Sequence, residues 1–175
     1  MAPLRLLLVF ALAALVGCAP EKDTATRAAE DGVLIINNAA EPAGLDPQVV
    51  TGLLESRIVS ALFEGLVAYD PKTLDATPAA AERWEMSEDG CTWTFHLRPG
   101  ARWSNGDPVT AQDFLFSYRR ILSPGLASEY AWMLFSVRGA REYYEGKSSD
   151  FSKVGFRAPD ASTFVIELDH KTPYF

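Results

Sequence analysis

Cysteine and histidine are scarce: two of each stand in 175 residues, too few for a disulfide-stapled scaffold, and they leave little for a metal site. No H-E-x-x-H, paired C-x-x-C, Gly-rich phosphate loop or G-x-S-x-G occurs, so metalloprotease, nucleotide-binding and serine-hydrolase readings lack their motifs. The apolar run Leu6–Val16 is eleven residues long, short of the ~20 that a membrane-spanning helix needs. Basic residues are outnumbered 16 to 23 and are scattered, giving a formal charge of -7, which excludes a phosphate-tracking nucleic-acid surface. There is no internal repeat and no low-complexity tract. What remains, 48% hydrophobic and 22% charged residues, suits a domain with a sizeable core.

The N-terminus carries an address. Arg5 precedes the apolar run Leu6–Val16, the pattern of a secretory signal. Leu15-Val16-Gly17-Cys18 resembles the bacterial lipobox, in which small residues fit a narrow peptidase groove and the cysteine sulfur is acylated before cleavage. The resemblance implies a lipoprotein signal peptide at 1–17 and a lipidated mature N-terminus at Cys18. Two or three acyl chains would then hold the protein stably on a membrane face outside the cytoplasm, in the periplasm or at the cell surface. Removing residues 1–17 takes away Arg5 alone, so the basic count falls from 16 to 15 and the formal charge becomes -8. Ala19–Asp31 (APEKDTATRAAED) has no aromatic and no large aliphatic residue, so 18–31 reads as a flexible tether.

Periodicity lays out the body. Val33–Asn37 (VLIIN) reads as a buried strand on length and branching. Leu45-Asp46-Pro47 is a turn, and Leu54, Ile58, Val59, Leu62 and Phe63 fall at helical spacing, predicting a helix from Leu53 with one face packed inward. Leu66–Tyr69 is a candidate strand closed by an Asp70–Thr73 turn, while Leu74–Ala81 has no readable period. In Thr92–Arg98, Trp93, Phe95 and Leu97 alternate with polar residues, the mark of a half-buried strand, with Glu82–Met86 as its partner. Thr110 and Asp113 approximate a capping box before a helix that buries Phe114, Leu115, Tyr118 and Ile121 and runs to about Leu122. Short helices at Glu129–Phe135 and Gly139–Glu145 and a Val154–Leu168 hairpin complete an α/β, mixed α+β, order.

Chemistry-bearing residues are thin. His96 falls on the polar side of its strand and His170 among charged neighbours, both surface readings. Cys91 reads as a small packed residue at a strand start. The Glu82/Glu85 and Glu88/Asp89 pairs read as solvated charges, since nothing in the pattern buries them. No catalytic residue, metal ligand or cofactor is expected.

The stretch Ala81-Glu82-Arg83-Trp84-Glu85, Asp89-Gly90, Thr92–Arg98, Gly100 and Trp103–Phe114 (WSNGDPVTAQDF) resembles the extracytoplasmic solute-binding proteins of peptide ABC transporters, the oligopeptide- and dipeptide-binding family. Leu45-Asp46-Pro47, Phe63–Leu66, Ser128–Ala131 and Pro173–Phe175 match in the same order, so the resemblance covers 33–175. It implies the N-terminal part of a two-lobed periplasmic-binding-protein-like fold with an extra domain, closing on a short peptide whose backbone adds to strand-like edges. Lobe I would begin at 32–65, the extra domain occupy 66–168, and 169–175 return towards lobe I. The partners implied are a short peptide, the permease subunits of an ABC transporter and, through Cys18, a membrane; a monomer without nucleic acid is expected.

The same resemblance places ligand contacts on Thr51, Gly52 and Leu53, just after the Leu-Asp-Pro turn, and on Tyr130. Gly52 reads equally as a point of close backbone approach or as a break before the helix, and Tyr130 as a cleft wall or a core aromatic. Trp84, Trp93 and Trp103 are assigned to the fold. Family chains are considerably longer, so a chain ending at Phe175 is expected to lack half the clamp, to bind weakly if at all, and to expose strand edges and apolar surface. The alternatives are an exported lipoprotein hydrolase, a family member with a non-peptide ligand (nickel complex, heme, glutathione, sugar or opine), and a product without transport function.

Overall fold

The computed structural model describes residues 22–172 and 175; the expectations placed on residues 1–21, Cys18 among them, and on Pro173 and Tyr174 lie outside the described residues. Residues up to Ala39 and residues from Ala40 onward form two compact units.

In the first unit the expected tether contains a helix, α1 (Thr24–Glu30). The Asp23 carboxylate accepts from the Thr26 N–H at 2.7 Å, the sequence TATRAAE favours helix, and Gly32 ends it at φ 70°, with Val33 N–H donating to Ala28 O. Capping and propensity act locally and need no core, which is why a segment that buries nothing is nonetheless helical. Val33–Asn37, by contrast, is not a strand. Leu34 and Ile36 are 82% and 74% exposed, and among the described residues no strand pairs with this run. Apolar composition alone leaves the backbone groups of a strand without a ladder.

The second unit is built on a four-stranded antiparallel sheet in the order β3-β4-β6-β5, from β3 (Ala81–Met86), β4 (Thr92–Leu97), β5 (Phe156–Arg157) and β6 (Thr163–Glu167). The expected alternation holds: Phe95 and Leu97 of β4 are buried, as are Phe164, Ile166 and Leu168 on and after β6. Phe95 faces Phe164 across the ladder and Trp84 on its other side, so bulky residues align on one face. Gly155 lets β5 close onto β6, because a Cβ there would stand 2.2 Å from Glu167 O.

Helix α3 (Ala111–Ile121) follows β4 and covers that face. Its expected capping box is present, Thr110 N–H donating to the Asp113 carboxylate at 2.7 Å. Tyr118 lies nearly parallel to Phe156 and Phe164, with ring centroids 4.5 and 5.5 Å away. Burial pushes the Tyr118 hydroxyl pKa upward, so this ring is a core element rather than a proton carrier. The Glu129–Phe135 and Gly139–Glu145 segments appear as a 3₁₀ turn (Ala131–Leu134) and as α4 (Ala140–Tyr144).

Three expectations need correction. Leu74–Ala81 contains β2 (Ala76–Pro78), which pairs with β1 (Val67–Tyr69); three residues are too short to show a period. Helix α2 forms at Leu53–Leu62, but none of its residues is buried: Leu54, Ile58 and Val59 are half-covered and Leu62 and Phe63 are exposed. Helical spacing identifies a face without supplying what covers it. Trp84 and Trp93 pack on the core, whereas the Trp103 side chain is exposed and the residue serves the fold through its backbone, its N–H donating to Asp107 O and its carbonyl accepting from Gly106.

His96 is surface-facing as expected, its Nε2 3.3 Å from the exposed Glu85 carboxylate. Phe164 is fully buried and touches three aromatic rings, so Phe164→Ala is expected to destabilise by about 3–5 kcal/mol, while His96→Ala should stay within about 0.5 kcal/mol. Urea unfolding of the two variants checks this; a Phe164→Ala cost as small as that of His96→Ala would contradict the assigned core.

Candidate functional site

Asp46 starts the local structure that leads to the candidate contacts. Its carbonyl accepts the N–H groups of Val49 and Val50, both at 3.1 Å, and its carboxylate accepts from Gln48 N–H, so the Leu-Asp-Pro turn is closed as expected. The chain then runs extended through Gly52 (φ -83°, ψ 150°) into α2. That φ lies in ordinary territory, so Gly52 is not needed for backbone conformation. A Cβ there would fall 2.0 Å from the Glu55 carboxylate, the mobile end of a side chain that accepts from Ala43 N–H at 2.9 Å, so a larger residue would have to push that carboxylate aside. The Ala43 contact holds the Glu55 pKa below the usual carboxylate range. Gly52 therefore serves both as the break before α2 and as room for the group that ties the preceding loop to the helix.

Tyr130 stands immediately before the 3₁₀ turn. Its hydroxyl makes a long hydrogen bond, 3.5 Å, to the Thr51 carbonyl. It is 45% exposed, which removes the core-aromatic reading. Thr51, Gly52, Leu53 and Tyr130, separated by up to 79 residues, are thus brought to one surface, where Thr51, Leu53 and Tyr130 are exposed and Gly52 is half-covered. Among the described residues nothing accepts a hydrogen bond from the N–H of Thr51 or Gly52. An extended stretch whose N–H groups find no acceptor among the described residues, beside an exposed aromatic ring, can receive another extended backbone.

Arg120, Gln48 and Ser117, which sequence reading did not single out, hold this stretch together with Asp46. The Arg120 guanidinium donates to both Asp46 carboxylate oxygens, at 2.9 and 2.5 Å, and to Gln48 Oε1 at 2.7 Å. Gln48 Nε2 in turn donates to Ser117 O and Oγ at 2.8 and 2.7 Å. Hydrogen bonding from Arg120 holds the Asp46 pKa below its ordinary value and raises that of Arg120, so the pair is ionised throughout the neutral range. At the far end of α2, Arg98 donates to both Glu64 oxygens, at 3.0 and 2.6 Å, and to Ala79 O at 2.9 Å. Sequence separations of 34 to 74 residues make such pairs invisible to periodicity and local motifs.

Elsewhere, an open depression of about 670 Å³ between α3 and residues 149–159 contains none of these residues. Asp150 on its rim caps Ser152, and Arg119 lies over the Phe151 ring at 5.8 Å. Among the described residues no group of three or more His, Cys, Asp or Glu side chains could hold a metal ion, and no helix is long and apolar enough to cross a membrane.

Comparison with known proteins agrees with this architecture. Residues 75–175 match the family model of bacterial extracellular solute-binding proteins, family 5, middle. The periplasmic oligopeptide-binding protein OppA of Haemophilus influenzae is 43% identical over 143 residues, 81% of this chain and 26% of that protein. The periplasmic murein peptide-binding protein MppA of Escherichia coli is 39% identical over 159 residues, 90% of this chain and 29% of that one. The crystal structure of H. influenzae OppA in complex with RPPGFSPFR superposes with a TM-score of 0.73 at 43% identity, covering 79% of this chain and 27% of that one. The chain therefore spans about a quarter of the length of the curated relatives it matches. With this sheet, this helix and a match over residues 75–175, the chain belongs to the family 5 bacterial extracellular solute-binding proteins.

Proposed function

We propose that this chain supplies one wall of a peptide-binding cleft in a receptor that captures oligopeptides outside the cytoplasm and hands them to an ABC-transporter permease, without catalysis. The observation that carries the reading is the extended Thr51–Gly52 stretch, whose N–H groups find no acceptor among the described residues and whose carbonyl is met by Tyr130. Peptide-binding relatives at 43% identity support peptide as the ligand class. In this reading Thr51 and Gly52 pair with the ligand backbone, Leu53 offers an apolar contact, and the Tyr130 ring forms a wall whose hydroxyl keeps Thr51 in place. Main-chain pairing of this kind is tolerant of ligand side chains, which suits import of mixed peptides. The start of lobe I lies at 32–65 and the extra domain at 66–168, with 169–175 returning to lobe I. The monomer is anchored through acyl chains on Cys18, with residues 1–17 removed.

Native mass spectrometry of the mature protein extracted from its own membranes tests the reading. Short peptides are expected to co-purify, and Tyr130→Ala is expected to weaken trialanine binding by about tenfold, roughly 1.4 kcal/mol, through lost apolar contact with the ring. A native protein that binds neither co-purified peptides nor trialanine would overturn the peptide reading. The anchor has its own test: Cys18→Ser should abolish the lipid mass increment and move the protein from the membrane to the soluble fraction. Membrane retention of that variant would contradict acylation at Cys18.

A further inference from the structure

The stretch that carries the candidate contacts has little apolar anchorage. No residue of α2 is buried, and the Leu53 and Leu62 side chains at its two ends are 68% and 64% exposed. Hydrophobic burial is roughly proportional to the area removed from water, so burial alone holds residues 46–64 weakly in register. Polar ties must set their position, and two of them are bidentate arginine–carboxylate pairs.

The two ties differ in what they hold. Arg98–Glu64 fixes the chain after α2, eleven residues beyond Leu53. Arg120 fixes Asp46, whose carbonyl receives Val49 and Val50 N–H, so the constraint is delivered directly to the residue before Thr51. Gln48 closes the network by accepting from Arg120 and donating to Ser117. Both Arg120 and Ser117 stand on α3, beside Tyr118, whose ring lies against Phe156 and Phe164. The chain of contact therefore runs from the packed core, through one helix, to the turn that aims the extended stretch.

We infer that Arg120 is a positioning residue for ligand capture: its forked pair with Asp46, braced by Gln48 and Ser117, sets where the Thr51–Leu53 backbone meets a ligand. The inference rests on the proposed peptide-binding role and adds a residue with no ligand contact of its own. Side-chain exposures of 37% and 38% for Arg120 and Asp46 mean that the pair contributes modestly to global stability, as partly exposed ion pairs do. Its geometric effect is larger. Two parallel N–H···O bonds define an orientation that a point charge does not, so lysine cannot substitute for it. Loss of the fork should therefore weaken binding without a matching loss of thermal stability.

The test is calorimetric titration of the full-length mature receptor with trialanine and with the nonapeptide RPPGFSPFR, alongside thermal unfolding. Arg120→Lys, Arg120→Met and Asp46→Asn are each expected to weaken binding about tenfold with little change in Tm. Arg120→Met combined with Asp46→Asn should be no worse than either alone, since the two side chains act as one unit. Arg83→Met, which removes an exposed pair with Glu85 on β3, should leave affinity unchanged. Unaltered affinity in the Arg120 variants would overturn the positioning role, as would additive losses in the double variant, or losses that simply track Tm. Failure of the native receptor to bind either peptide would instead overturn the peptide reading on which the inference stands, so the two failures are distinct.

Discussion

The stack of Tyr118 between α3 and the Phe156 and Phe164 rings of the sheet is the contact on which the rest of the unit depends. It joins α3 to the ladder of β5 and β6, and Phe164 beneath it is fully buried. With α3 fixed in this way, its other side becomes a platform. Ser117 and Arg120 flank the partly buried tyrosine and face the loop that begins at Asp46. A core interaction thus determines where a surface loop stands, by way of a polar network rather than continued apolar packing.

The division suits a binding surface. A segment that presents free N–H groups to a ligand cannot also bury them, because buried amides are paired within the protein. In the proposed reading the Thr51 and Gly52 N–H groups, which find no acceptor among the described residues, stay available to a ligand while Asp46, Arg120, Gln48 and Glu55 hold the chain. The long Tyr130–Thr51 contact adds a third tie and brings an amphipathic ring to the same surface. Charge-assisted bonds do here what hydrophobic contacts do elsewhere in the sheet.

Much of this body was legible in the sequence. The alternation in Thr92–Leu97, the Thr110/Asp113 cap, the hairpin ending in Phe164, Ile166 and Leu168 and the Leu-Asp-Pro turn are all encoded within windows of a few residues, and each stands where the pattern put it. The failures each have a physical cause. The composition of Val33–Asn37 and the apolar spacing of α2 predict burial, yet burial depends on a second surface. The helix at Thr24–Glu30 has no large apolar residue to mark it in the sequence, yet the Asp23 cap and three alanines suffice. Arg120 looked like an ordinary charge in the last turn of a helix; only the fold reveals Asp46 at its fork, 74 residues away. The candidate contacts themselves came from resemblance to a family, since nothing local marks Thr51 or Tyr130.

The central claim is that an extended ligand pairs with the backbone at Thr51 and Gly52. Amide hydrogen exchange of the full-length receptor, resolved at residues 50–54 and compared with and without saturating trialanine, addresses it most directly. Marked slowing at Thr51 and Gly52 is the expected result, because unpaired, solvent-facing amides become protected when they donate to a ligand. Exchange at those two amides that stays as fast with trialanine bound as without it would contradict the claim.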